Sequence, residues 1–370
     1  MVFDAQWAEH LIDLQRQLNA GVWKPLPTTC FIAQRPKARQ IHAPHFSDRV
    51  VHHWLVPQLE RIYEPRFIHD SYANRRGKGT HAAVERLKGF VRQVASGQGG
   101  GWYLQLDVHN FFNSIHRPTL YRMLKETMAK AGLSDPARRA VHALLRRPVH
   151  DQGIIHRSTA EERERVPAHK RLENAAPGFG LPIGNLSSQF FANVYLDALD
   201  QFVKHELKAC RYLRYVDDFV LVHRDRAVLA GWQTQIEEFL ATTLRLKLKA
   251  DIRLRPLSAG IDFLGYVIYP THTRVRARVL KHADQSLRAW HQEHAVLGHY
   301  VATPADVRAL TSSVASYQGH TKHANARRVM DRMLRRHPCA TFFAVTTAFH
   351  PLLEGKKLTF KRPIHMERAA

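Results

Sequence analysis

Cysteine is scarce in this chain. Its 370 residues hold three, Cys30, Cys210 and Cys339, each without a neighbouring thiol. That excludes a disulfide framework and paired-thiolate zinc spacing, and it fits a reducing compartment. Long apolar runs are missing as well. No stretch reaches the roughly 20 residues a membrane helix needs. The start MVFDAQWAEH lacks the form of a signal peptide. Both absences favour a cytoplasmic protein with no membrane partner. None of the 25 histidines falls in HExxH or another metal-ligand spacing. Acidic side chains are in short supply: 32 Asp plus Glu face 55 Lys plus Arg, a formal charge of +23. Such a chain repels itself unless it meets a polyanion, and nucleic acid is the foremost one.

The hydrophobic content of 45% is enough to bury a substantial core, and the length predicts two or three subdomains. Leu11 to Leu18 reads as a short helix. TTCFIAQRPKARQIHAP alternates apolar and basic residues around a Pro-Lys turn, like a basic hairpin. A helix follows from Asp48, with Val51, Leu55, Val56 and Leu59 on one face, and another follows Thr80 as its N-cap. SGQGGG is a joint, and WYLQLDVHNFF is a strand ending on Asp107. Helices are expected near 117–131 and 136–147, then a polar surface excursion over 150–176. GFGLPIGN is a loop, and a long helix opens behind Ser187 or Ser188. RYLRYVDDFVLVH reads as two strands around a two-Asp turn, followed by a helix over 227–243 and a strand IDFLGYVIY. From Lys281 the pattern is helical and rich in Arg and His. The order of elements argues for an α+β body with a basic, all-α C-terminal part.

Two adjacent carboxylates, Asp217 and Asp218, interrupt an otherwise apolar run. A solvated turn would explain them, since Asp suits turns. Their flanks Tyr215, Val216, Phe219, Val220 and Leu221 argue instead for a seat on a buried sheet. A third acid, Asp107, ends another apolar strand. If the two strands are neighbours, three carboxylates converge, and unpaired they would be costly. Two Mg²⁺ ions about 3.5–4 Å apart would remove that cost and serve phosphoryl transfer.

YVDD inside an apolar hairpin resembles the catalytic turn of reverse transcriptases. LDVHNFFNSI is similar to their other carboxylate motif, SYANRRGKGTHAAV to their second finger motif, and IDFLGY to their primer-grip strand. GLPIGNLSSQFFANVYL resembles the template-side motif before the long palm helix. With Ile183 before Gly184 and Gln189 after Ser188, it is similar to enzymes of diversity-generating retroelements and relatives assigned to phage defence. VASYQGHTKHANARRV resembles that branch too. The likeness runs in the family's order over roughly residues 10–340.

The resemblance implies a right-hand polymerase with fingers, a palm built on an antiparallel sheet, and a helical thumb. Fingers would span 1–100, the palm 101–118 and 178–270, a fingers-like excursion 119–177, and the thumb and tail 271–370. Asp107, Asp217 and Asp218 become the catalytic acids. Asp107 and Asp217 would bridge two Mg²⁺ (or Mn²⁺), Asp218 would be peripheral, and the Val108 carbonyl would add an oxygen. Arg35, Lys37 and Arg39 become candidates for the triphosphate, against the alternative of a solvated basic turn. Phe112 would lie under the incoming sugar and exclude a 2′-hydroxyl; on a strand, only one of Phe111 and Phe112 faces the site. Gly184 and Gln189 would lie near the nascent base pair. Lys247 or Lys249 would act as general acid toward pyrophosphate. Arg75 and Arg76 would touch the template backbone or brace the fingers. Phe263, Leu264, Gly265 and Tyr266 would hold the primer end.

The partners implied are deoxynucleotides, a dedicated structured template RNA, its cDNA duplex, and a small accessory protein or further copies of the chain. No RNase H, protease, integrase or endonuclease motif is visible, little chain precedes the first finger helix, and the tail after Ala340 matches no known motif. The competing readings are an RNA-binding scaffold of polymerase shape and a maturase-like intron protein.

Overall fold

A computed structural model describes residues 6–34, 37–97, 100–296, 299–337 and 339–340. Arg35 and the tail from Thr341 lie outside the described residues, as do Gln98 and Gly99 of the glycine-rich joint. The chain divides into two compact units, one of residues 1–83 and 101–255, the other of residues 84–100 and 256–370.

In the first unit the strands are β1 (Thr28–Ala33), β2 (Arg39–Ala43), β3 (Trp102–Asp107), β4 (Ile154–His156), β5 (Tyr212–Tyr215), β6 (Asp218–His223) and β7 (Arg253–Pro256). Four of them form a sheet in the order β5–β6–β3–β7. β3 and β6 are antiparallel, in register from Trp102 opposite His223 to Asp107 opposite Asp218. Leu104 and Leu106 on β3, and Phe219, Val220, Leu221 and Val222 on β6, are all buried. Both faces of these strands are therefore covered, which is why they read as apolar runs and not as alternation. The helix Arg226–Thr243 packs on β3 and β6, with Leu229, Ile236 and Leu240 as its buried stripe. The helix Leu186–Gln201 is buried nearly all round and packs against helices Phe46–Tyr63 and Arg117–Lys130. It begins at Leu186, just ahead of the serines expected to open it, and both serines are buried within its first turn.

The basic hairpin forms as expected, β1 antiparallel to β2. The polar stretch after it in sequence contributes more than a surface excursion. β4 pairs in parallel with β1. The remainder is pinned by side chains: Gln40 donates to Glu173 at 2.8 Å and accepts from the Leu172 amide at 2.8 Å. A three-residue strand in a polar run carries no periodic signal, so sequence alone does not reveal it.

Three local expectations are corrected. Phe111 and Phe112 belong to a short helical turn, Phe111–Ser114, so strand alternation does not sort them. Thr80 is the first residue of the helix Thr80–Ala95 and not the residue before it. The IDFLGY segment is two strands, β8 (Ile261–Phe263) and β9 (Tyr266–Ile268), closed by a tight turn in which Leu264 has φ 48° and Gly265 φ 91°. Both central residues at positive φ make the hairpin turn that matches strand twist, and glycine at the second removes half its strain.

In the second unit β9 lies between β8 and β10 (Thr273–Val275). The helices Ala277–His294, Pro304–Thr321 and Arg327–Arg336 share a core that includes Leu287, Val307, Leu310, Val314 and Met330. Thr303 and Asp306 form a reciprocal cap that starts the second of these helices.

One buried ion pair anchors the β5–β6 hairpin. Arg214 and Asp200 have side chains 1% and 0% exposed. Arg214 Nε donates to both Asp200 oxygens at 2.8 and 3.0 Å, Nη2 to Oδ2 at 2.6 Å, and Nη1 to the Val216 carbonyl at 3.0 Å. Tyr212 donates to Asp200 at 2.7 Å, so both charges are fully engaged. Removing one partner leaves a buried charge uncompensated, which typically costs about 3–5 kcal/mol. Arg214→Met is expected to lower the urea midpoint by a corresponding amount. Measured loss below about 1 kcal/mol would show that the pair contributes little to folding.

Candidate active site

Asp107 is the last residue of β3, and its cross-strand neighbours differ in sign. On one side stands Asp218, the first residue of β6. On the other side residues 247–249 run antiparallel to β3: the His109 amide donates to the Lys247 carbonyl at 2.7 Å and the Lys249 amide to the Asp107 carbonyl at 2.8 Å. Lys249 is thereby opposite Asp107, and its Nζ donates to Asp107 Oδ2. Like charges directly opposite destabilise a sheet and unlike ones stabilise it. Lys247 is exposed and pairs through its backbone with His109, so of the two lysines the register brings only Lys249 to the acids.

The expected two-Asp turn is a Val216–Asp217 turn, with Asp218 already in the strand. Val216 has φ 56°, a strained conformation for a β-branched residue. Three hydrogen bonds hold it there. Arg214 holds the Val216 carbonyl, the Asp217 carbonyl accepts from the Val108 amide at 3.2 Å, and Arg214 is itself held by Asn193 Oδ1 at 3.3 Å. Strain of this kind persists where the surroundings over-determine it, often at functional sites.

Burial, with the charge of Asp107 adding to it, pushes the Asp217 carboxyl up to about 6 from its ordinary 3.8. Burial likewise pushes Asp218 up to about 7, against an opposing hydrogen bond from Gln105 at 3.1 Å, while Asp107 and Asp217 add repulsion. Lys249 is the cation that offsets both. Asp107 Oδ1 is buried with no hydrogen-bond partner. An all-oxygen donor set with an orphaned carboxylate oxygen and mutually repelling neighbours fits a hard divalent cation. Among the described residues, no three His, Cys, Asp or Glu side chains form a ready metal-ligand cluster; Asp218 turns to Gln105 and Lys249 caps Asp107.

The other candidates fall into three groups. Lys37 and Arg39 are exposed on the β1–β2 hairpin. Gly184 has φ 122°, and a Cβ there would lie 2.8 Å from the His42 carbonyl and 2.9 Å from Ile41, so its loop is pressed onto β2. The His42 amide donates to the Ile183 carbonyl at 2.7 Å, which fixes the β1–β2 hairpin and the Gly184 loop as one piece. Gln189 is half-buried in the first turn of helix Leu186–Gln201, its amide bonded to Asn185. Phe111 is buried, while Phe112 is half-buried and its carbonyl accepts from Leu181 at 2.8 Å.

Arg75 is a brace. Its guanidinium binds Glu64 through Nε and Nη2 and the carbonyls of Ile68 and Ser71 through Nη1, and it lies 5.2 Å from the Phe67 ring. Its donors are committed within the protein, so the bracing alternative describes it, whereas Arg76 is exposed. In the second unit Phe263 and Tyr266 are buried, Tyr266 stacking 4.3 Å from His320 and donating to its carbonyl. Only Leu264 and Gly265 stand at the hairpin tip.

Sequence reasoning missed Gln105, Arg214, Asp200 and Asn193. Arg214 and Asp200 were findable in principle: Arg214 is the one charge in β5 and Asp200 one of two in a largely apolar helix, and buried charges are almost always paired.

A hairpin presenting adjacent acids beside a third acid on the neighbouring antiparallel strand defines the class of template-directed nucleotide polymerases. The family model described as reverse transcriptase (RNA-dependent DNA polymerase) matches residues 32–268, and the chain belongs to that family. Its members are nucleotidyltransferases with the right-hand polymerase fold, and they generally use divalent metal ions. The chain is 21% identical over 308 residues to protein YkfC of Escherichia coli, covering 74% of each. It is 24% identical over 198 residues to the group II intron-encoded protein LtrA of Lactococcus lactis, covering 53% of this chain but only 28% of LtrA. Among solved structures, telomerase from Candida albicans matches with a TM-score of 0.46 at 11% identity over 81% of this chain and 54% of that one, a likeness too weak to carry an argument. No helix among the described residues is long and apolar enough to cross a membrane.

The raised carboxyls make a stability prediction. A raised folded-state pKa means that the charged form is disfavoured by folding. The cost is present above about 7, shrinks as pH falls through 7 and 6, and vanishes below about 4, where the unfolded chain is protonated too. In metal-free buffer at pH 8, Asp217→Asn should melt about 2–4 °C above the unsubstituted protein, which corresponds to on the order of 1 kcal/mol for a unit this size. The gap should close by pH 4. A lower melting temperature at pH 8 would contradict the repulsion.

Proposed function

We propose that the chain extends a primer 3′-OH with deoxynucleotides on an RNA template. The supporting observation is the convergence of Asp107, Asp217 and Asp218 at one corner of the sheet, with Asp107 Oδ1 buried and without a partner. Asp107 and Asp217 would be the principal metal ligands, with Asp218 peripheral and the Val108 carbonyl contributing an oxygen. Two Mg²⁺ ions, or Mn²⁺ in their place, would activate the attacking hydroxyl and stabilise the leaving pyrophosphate.

The other residues bind and orient. Lys37 and Arg39 receive the triphosphate, Arg offering a bidentate fork and Lys a point charge. Because the Gly184 loop is bonded to β2, moving that hairpin moves the loop with it, and the nascent base pair would be gripped by both. Phe112 screens the sugar, Gln189 lies near the pair, and Arg76 meets the template backbone. Leu264 and Gly265 meet the primer, and the basic helices of the second unit hold phosphates, a contact that weakens steeply with salt.

The template would be a dedicated structured RNA, as Ile183–Gly184 and the VASYQG segment suggest by their resemblance to the retroelement and defence branch. The match to LtrA, an intron-encoded protein, favours a second reading in which the chain serves an intron RNA and polymerises little.

Primer extension on heteropolymeric RNA with Mg²⁺ should give incorporation that falls about 10²–10³-fold in Asp217→Asn, a size typical for losing a main electrostatic element of a site. RNA binding without incorporation under every priming condition would favour the intron-serving reading. Phe112→Ala should admit ribonucleotides; unchanged sugar selectivity would remove Phe112 from the gate.

A further inference from the structure

We propose that Lys249 is the resident counter-ion of Asp107 in the metal-free protein, and that a divalent cation binds by displacing its ammonium. The inference rests on the reading of Asp107 as a metal ligand and goes beyond it.

Backbone register sets the two residues side by side. The Lys249 amide is bonded to the Asp107 carbonyl at 2.8 Å, so the two side chains leave neighbouring strands side by side. Nζ occupies Asp107 Oδ2, while Oδ1 is buried without a partner. The ammonium therefore satisfies half of a carboxylate whose other half stays open. Three acids share this corner, and Lys249 is the cation that lowers both Asp217 and Asp218. One positive charge against three negative ones leaves the corner negative, so a divalent ion is still attracted. To reach both oxygens of Asp107 it must compete with an ammonium tethered at high local concentration.

The pair can open. The side chains of Lys249 and Asp107 are 42% and 35% exposed, so a displaced ammonium regains water without the chain unfolding. Lysine suits this better than arginine would, being a compact point charge on a flexible stem with no fork to lock it in place. The site would thus hold its shape without metal, at the cost of binding metal more weakly than three acids alone would.

Two measurements on the full chain test this. In the first, Mn²⁺ is titrated without nucleotide at pH 7.5 and free Mn²⁺ is read by electron paramagnetic resonance. Two cations competing for one carboxylate are negatively coupled, and couplings of this kind typically run 5–150-fold. Lys249→Met is expected to bind Mn²⁺ about tenfold more tightly than the unsubstituted chain, with Lys249→Arg binding no more tightly than the unsubstituted chain. Unchanged or weaker binding in Lys249→Met overturns the proposal. Asp107→Asn separates the two layers. If it binds Mn²⁺ like the unsubstituted chain, the metal-ligand reading of Asp107 fails. If it loses binding while Lys249→Met is unaltered, only the counter-ion inference fails.

The second measurement needs no substitution and so does not depend on a variant folding. Lysines are briefly acetylated and quantified by mass spectrometry, with exposed Lys247 as the internal reference. Acetylation of Lys249 relative to Lys247 should rise several-fold when Mn²⁺ is added. A ratio indifferent to Mn²⁺ means that the ammonium is not displaced.

Discussion

Asp107 has an acid on one side and a base on the other. This cross-strand arrangement is what the rest of the first unit is built to hold. Asp218 reaches its position through the β3–β6 register, and Lys249 reaches its own through the strand-like pairing of residues 247–249. A slip of one residue in either ladder would send one neighbour to the opposite face. The close-packed side chains on both faces of β3 and β6 resist the slip, because it would exchange the packing partners of every one of them. Packing thus sets the spacing of charges that electrostatics alone would drive apart.

The second constraint is the buried Arg214–Asp200 pair. It ties β5 to helix Leu186–Gln201 and, through the Val216 carbonyl, stabilises a turn that a valine would not adopt by preference. The motif containing Arg75 joins the same framework. The Tyr72 amide donates to the Arg214 carbonyl, and Asn193 donates to the Ala73 carbonyl at 2.9 Å. Several segments remote in sequence thus converge on one hairpin, so its geometry is over-determined. That rigidity is useful in a site where small displacements of a reacting group are costly.

Legibility followed the strength of the local signal. The runs around Asp107 and Asp217 were readable because both acids stand among mostly apolar neighbours, a setting that an acid on a solvated surface does not need. The helices were readable from their apolar stripes. β4 was not, because three residues in a polar stretch have no period. The tight turn within IDFLGY was missed although Gly265 marked it, because the apolar residues on both sides suggested continuity. Arg75 could be read two ways until its partners were known, and Phe112 was assigned by a strand rule that a helical turn does not obey.

The sequence by itself determined the set of acids, their apolar settings, the excess of positive charge and the ordered motifs that align with the reverse transcriptase family. Those properties depend on residue type and near neighbours, which a linear chain displays. Only the tertiary structure decided which lysine meets Asp107, that Asp218 turns to Gln105, that Gly184 is pressed against β2, and that a buried arginine holds the β5–β6 hairpin. Each of these is a contact between residues distant in the chain. Such contacts are set by strand register and by the packing of several elements at once, and no local pattern encodes them.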